Sequence, residues 1–173
     1  MALTTNQPPP SAQMTGPSYF IRPALPKDQP VILELWRGMM AEHEHDDPRI
    51  RLAKGALAAY KAYLGYHLSN AESCVRLAEI DGRVVGFCLI TISRNLPMFL
   101  PERYGYLSDL VVIGPHRRLG IGRALVEATL EWLDVMKVDS VQLQYYHFNE
   151  VGKAFWQKMG FDPFYTRMWL DRI

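Results

Sequence analysis

Three arginines and two glycines crowd into "PHRRLGIGRAL", residues 115–125, and the chemistry they suit is the binding of an anion. Gly120 and Gly122 lack the Cβ atoms that would hold a phosphate away from the backbone. Arg117, Arg118 and Arg123 offer charge-assisted hydrogen bonds. The stretch follows an apolar run, "YGYLSDLVVI", that stops at Gly114 and Pro115. It leads into "IGRALVEATLEWLDVM", where Ala124, Leu125, Ala128 and Trp132 recur at helical spacing. A strand, a glycine turn and a helix in that order present unbonded first-turn amides, to which the helix dipole adds about half a positive charge. An isolated G-x-G is explained well enough by a tight turn in a basic loop. The flanking strand and helix favour the anion site.

Two phosphate cradles fit poorly. A P-loop requires a lysine followed by Ser or Thr after its last glycine, and none stands here. A dinucleotide turn places a third glycine where this chain has Leu125, and it usually opens its domain. Here the motif comes late in the chain, so the order of elements matters.

The first 17 residues, "MALTTNQPPPSAQMTGP", are polar and proline-rich, with too little apolar surface to offset the entropy of ordering. They read as a tail, and residues 18–173 as one domain. "SYFIRPAL" reads as a strand ending at Pro23. "KDQPVILELWRGMMAEH" reads as a helix, with Ile32, Leu35, Trp36, Met39 and His43 on one face and Asp28 as its N-cap. "AKGALAAYKAYLGYHLSN" is a second helix, with Leu57, Tyr60, Leu64 and Leu68 aligned. "ESCVRLAEI" and "VVGFCLITI" form a hairpin about Asp81-Gly82. After the glycine motif and its helix, "SVQLQYYHF" alternates as a strand. "NEVGKAFWQKMGF" is a short helix stopped by Gly160, and "YTRMWLDRI" reads as a closing strand. The expected fold is α/β (α+β), with a mixed, mostly antiparallel sheet of about six strands and four helices.

Composition narrows the function classes. The formal net charge is +1, with 49% hydrophobic and 21% charged residues, so no global field attracts nucleic acid. No apolar run reaches membrane-spanning length and the N-terminus lacks an apolar leader pattern, so no membrane partner is expected. Cys74 and Cys88 lie in apolar runs and read as reduced core residues, which points to the cytoplasm. No Cys/His spacing suggests a metal site.

The pattern that does fit is Arg117-Arg118-Leu119-Gly120-Ile121-Gly122, with "DLVVIGP" upstream. It resembles the acetyl-CoA-binding motif of the GNAT superfamily of N-acyltransferases. "NEVGKAFWQKMGF" independently resembles that family's late signature, with Asn149, Phe155, Gly160 and Phe161 in register and Gly152 at its small position. The resemblance implies that acetyl-CoA is the co-substrate and that residues 117–123 meet its pyrophosphate. The strand Leu110, Val111 and Val112 would align the pantetheine arm in a slot beside "SVQLQYY", with Asn149 supporting it near that arm. It further implies transfer of the acetyl group to a primary amine of a small molecule or peptide, and leaves a homodimer open.

The catalytic groups follow less directly. The family's usual tyrosine acid stands where this chain has Trp156, whose N–H can donate a hydrogen bond but not surrender its proton. Trp156 is therefore expected to pack beside the cofactor, and Tyr145 or Tyr146 to substitute as acid; both also suit plain sheet aromatics. Asp109 is the candidate base, though strand alternation can equally turn it away from the slot. His147 reads as a capping or core residue. In the link between the first two helices, Glu42, Glu44, Asp46 and Asp47 would draw in a cationic amine and His43 or His45 take its proton, unless they only solvate a helix end. The rival to an enzyme is a non-catalytic acyl-CoA sensor that kept the cradle and lost its acid.

Overall fold

The computed structural model describes residues 18–172, so the expected tail lies outside the described residues. The chain runs β1 (Phe20–Pro23), α1 (Gln29–Asp46), α2 (Ala56–Ser69), β2 (Ser73–Ile80), β3 (Arg83–Arg94), β4 (Arg103–Val112), α3 (Ile121–Val135), β5 (Val141–Leu143) and α4 (Glu150–Lys158). The five strands lie in sequence order in one sheet. The first four are antiparallel, and β5 pairs parallel to β4.

The hairpin forms as its turn residues require. Ile80 pairs with Arg83 around Asp81 (φ 48°) and Gly82 (φ 75°), the left-handed pair that matches strand twist. Two apolar layers sandwich the sheet. On one face Ile32, Leu35 and Trp36 of α1 and Tyr60 and Leu64 of α2 cover Leu77, Phe87, Leu89 and Val111. On the other, Ile121, Leu125, Val126 and Leu133 of α3 and Trp156 of α4 cover Cys88, Ile90 and Leu107. Both cysteines are buried and unbonded to each other.

Four expectations change. The buried stripe of α3 is Ile121, Leu125, Thr129 and Leu133, shifted from the face expected around Trp132. Leu57, in the first turn of α2, is exposed, and the helix buries Tyr60 and Leu64 instead. Asp28 does not cap α1. Its carboxylate takes two bonds from Arg22 (2.7 and 3.0 Å) and one from the Leu25 amide, tying the end of β1 to the helix start.

The Asp28 side of that pair is buried and the Arg22 side is partly exposed, so its loss has a predictable size. Arg22 holds the Asp28 carboxyl below the usual carboxylate range, a stabilisation present above the unfolded pKa of about 3.9 and lost as pH falls through the lower folded value. Asp28→Ala is expected to cost about 2–3 kcal/mol at pH 7, read from urea unfolding, with the deficit shrinking below pH 4.

The fourth change concerns the C-terminus: the sheet has five strands, not six. "YTRMWLDRI" forms no strand among the described residues, and Phe164, Met168 and Leu170 stand exposed. The cause is upstream. Of the expected strand "SVQLQYYHF" only Val141–Leu143 joins the ladder, so β5 offers a following segment too short an edge to pair with.

Candidate active site

The brevity of β5 also opens the slot. It pairs with β4 only at Gly105, Tyr106 and Leu107, after which β4 continues to Val112 while the neighbouring chain leaves at Gln144. In an antiparallel strand alternate residues point their amides and carbonyls to opposite edges. The Val111 carbonyl faces Gly86 of β3, where any Cβ would strike it, and the Ile113 amide bonds to Val85 of β3. The backbone groups of Leu110 and Val112 therefore face the open edge, whereas those of Val111 do not.

The slot ends on the start of α3. Arg118 (φ 64°) and Gly120 (φ 83°) are both left-handed, which turns the chain sharply from strand to helix. A Cβ on Gly120 would be strained there whatever its surroundings. The first helical bond is from the Ala124 amide to the Gly120 carbonyl, and no side chain caps the helix. The amides of Ile121, Gly122 and Arg123 thus point outward with no intrahelical partner.

The arginines divide their roles. Arg117 turns back, donating to the Val112 carbonyl (2.8 Å) and to Glu42 of α1 (2.7 and 3.0 Å). Arg118 is exposed beside the cradle, and Arg123 makes a long, exposed contact with Glu127 one turn on. Leu119 is also exposed, while Ile121 is buried and anchors the first turn of α3. Asn149 caps α4 by accepting from the Gly152 amide at 2.7 Å. Trp156 is only 9% exposed, edge-on to Phe155 and Phe161 in the α3-side core.

A bulge decides where Asp109 points. Leu89 of β3 pairs with Asp109 and Ile90 with Leu107, so Ser108 is one residue too many. Before it, Leu107 packs toward α3. After it, Leu110 and Val112 take that side, and Val111 faces α1 and α2. The extra residue switches the parity of the strand. Asp109 follows Val111 and lies under α2, 8% exposed, with the Ser108 hydroxyl donating to it at 2.8 Å.

Two tyrosines from α2 meet it there. Tyr60 and Tyr63 face Asp109, and Tyr60 is stacked on Trp36 of α1 with centroids 4.0 Å apart. Burial pushes the Asp109 carboxyl up to about 6, with the Ser108 and Tyr60 hydroxyls opposing the rise. Burial likewise raises the Tyr60 phenol, which stays protonated throughout the working pH range. The helical stripe in the sequence placed Tyr60 in the core. The adjoining polar pair Ser108-Asp109, which breaks the alternation of β4, was the signal of a bulge.

The other expected residues scatter. Tyr145 packs into the α3-side core, whereas Tyr146 lies against His43 (4.9 Å) and stacks on Phe148. His43 sits half-buried among these rings, and the loss of water lowers its pKa. Its neighbour Glu42 is paired with Arg117 in an exposed ion pair that links α1 to the glycine turn. Asp46 is exposed at the end of α1, and His147 is exposed in the loop before α4. Among the described residues no cluster of metal-ligating side chains occurs, and no helix is long and apolar enough to cross a membrane.

The profile of the acetyltransferase (GNAT) family matches residues 32–161, a span that includes the slot, the cradle and α4. An N-alpha-acetyltransferase of Sulfurisphaera tokodaii is 30% identical over 102 residues, covering 55% of this chain and 60% of that protein. N-acetyltransferase family 8 member 3 of Rattus norvegicus is 33% identical over 104 residues, covering 58% of this chain and 45% of the rat protein. The chain thus spans less than two thirds of either relative's length. Among solved structures, a mutant of the BH1408 protein from Bacillus halodurans superposes with a TM-score of 0.80 at 23% identity, covering 89% of this chain and 99% of that one. The aminoglycoside N-acetyltransferase AAC(6')-Iy in complex with CoA gives 0.67 at 18% identity, over 92% and 98%. These structural likenesses establish the fold. Motif, topology and profile agree, and the chain belongs to the acetyltransferase (GNAT) family.

Proposed function

We propose that this chain transfers the acetyl group of acetyl-CoA to a primary amine. The observation that carries the reading is the open edge of β4 running directly into the uncapped start of α3. The backbone groups of Leu110 and the amide of Val112, whose carbonyl is taken by Arg117, would bond the pantetheine as an added strand would. The amides of Ile121, Gly122 and Arg123 would hold the pyrophosphate, with Arg118 beside them. Acetyl-CoA supplies the thioester: the C–N bond forms to its carbonyl carbon as the C–S bond breaks, and the product thiol carries away one proton.

This chain's own part is to make the amine nucleophilic. An acceptor arrives as an ammonium ion, and Asp109 is the carboxylate placed in the parity-switched segment next to Leu110. With its carboxyl titrating at about 6, Asp109 is charged at neutral pH yet close enough in basicity to take the ammonium's proton. Asp109 lies beneath Tyr60 and Tyr63 of α2, on the α1–α2 side of the sheet, which would become the acceptor wall. Relatives and neighbours include N-alpha-acetyltransferases and aminoglycoside acetyltransferases, so peptide α-amines and amino sugars head the acceptor panel.

A thiol-release assay with acetyl-CoA and a panel of peptide α-amines, aminoglycosides, polyamines and lysine peptides tests the reading. Amine-dependent release is expected, rising with pH through about 6 as Asp109 loses its proton. One observation favours the sensor alternative: Trp156 stands in place of an acid. Tight acetyl-CoA binding by calorimetry with no release across the whole panel would raise that alternative to equal standing.

A further inference from the structure

Tyr60 carries a hydroxyl that the fold does not use. The residue is 9% exposed, and its oxygen is buried without a hydrogen bond to any protein atom. The ring cannot easily turn to find one. It lies flat on Trp36, 9° from parallel, and leans on Tyr63 at 5.7 Å. The hydroxyl is near enough to Asp109 to favour its charged form but closes no bond with it. A buried hydroxyl left unpaired costs about 1–3 kcal/mol, so it calls for a partner, and a site that bonds a substrate N–H rejects the analogue lacking it.

Resting on the reading of Asp109 as base, we propose that the Tyr60 oxygen is the second contact for the acceptor nitrogen and makes the site selective for primary over secondary amines. Once the ammonium has given one proton to Asp109, the neutral amine keeps a lone pair and two N–H groups. The lone pair must face the thioester. One N–H faces Asp109, and the other donates to Tyr60. An N-methyl amine has a carbon where that second hydrogen would be. It leaves the hydroxyl buried and unpaired and crowds the Trp36–Tyr60 stack.

Among the described residues, the titratable groups that sense Asp109 are Tyr60 and Tyr63 from α2, Tyr106 from its own strand and, from the opposite face of the sheet, Cys88 of β3. All are neutral near pH 7, with burial raising the pKa of each. Among the described residues, the hydroxyls that favour the Asp109 carboxylate are those of Ser108 and Tyr60. Removing the Tyr60 oxygen therefore moves the rising limb of the pH profile upward.

The test is Tyr60→Phe, which deletes one unbonded oxygen and should leave the thermal midpoint unchanged or higher. kcat/KM is measured for the fastest primary amine of the panel and its N-methyl derivative, with glycinamide and sarcosinamide as the pair for the α-amine class. The wild type is expected to prefer the primary amine by about 100-fold, and Tyr60→Phe to narrow that preference to about tenfold. The pH midpoint of kcat/KM should rise alongside. An active wild type whose preference and pH midpoint both survive Tyr60→Phe overturns the Tyr60 assignment alone. A wild type that acetylates no amine overturns both it and the enzyme reading.

Discussion

Asp109→Asn is expected to reduce amine-dependent thiol release at pH 7.5 by about 100-fold or more, the usual contribution of a positioned base. The same substitution is expected to stabilise the fold. Burial raises the carboxyl from 3.8 to about 6, so the folded state holds a proton that the unfolded state has already released. Stability from this group is complete below about pH 4 and falls as pH rises to about 6. Above that the charged carboxylate is a standing penalty. Two pKa units correspond to roughly 3 kcal/mol, and on the order of 2 kcal/mol should be recovered by the neutral amide. Urea unfolding at pH 7.5 and pH 4 checks the sign: the gain should be present at the first and absent at the second. A variant both inactive and less stable at pH 7.5 would mean that Asp109 is a structural carboxylate.

Gly122→Leu is expected to weaken coenzyme A binding by roughly 100-fold, about 2.7 kcal/mol, with little effect on unfolding. A Cβ at this position meets Phe155 at 3.5 Å and the Val112 side chain at 3.9 Å, both ordinary contacts. The backbone can therefore accept a side chain. Its branches, however, would enter the gap between β4 and α4, in front of the outward amides of α3. Isothermal titration with coenzyme A measures the loss. Unchanged affinity would show that the ligand's phosphates lie elsewhere. Gly120 is a poorer test, since its left-handed φ of 83° makes any substitution a folding mutation as well.

What the sequence alone determined is local. Proline and glycine punctuation, the 3.6-residue stripes and the Asp81-Gly82 turn placed every helix and the first four strands, because those signals act within a few residues. The two motifs named the cradle, since strand, glycine turn and helix start are contiguous in the chain. Asn149 as a cap was legible for the same reason. The proposed catalytic side of the site is assembled from segments 49 residues apart, Tyr60 on α2 and Asp109 on β4, and no local pattern records that meeting.

Tertiary pairing decided the rest. The alternation of β4 read as one continuous strand, but pairing with β3 is satisfied only with Ser108 bulged out, and that single residue sends Asp109 to the α2 side. Residues 144–148 alternate as a strand should, yet the chain leaves β4 after Leu143. Tyr145 and Tyr146 thereby go to different neighbours, and the closing strand is left without an edge. Glu42 pairs with Arg117, 75 residues later, a partner that no local pattern announces. Strand parity and charge pairing are properties of which segments meet, and only the folded chain sets them.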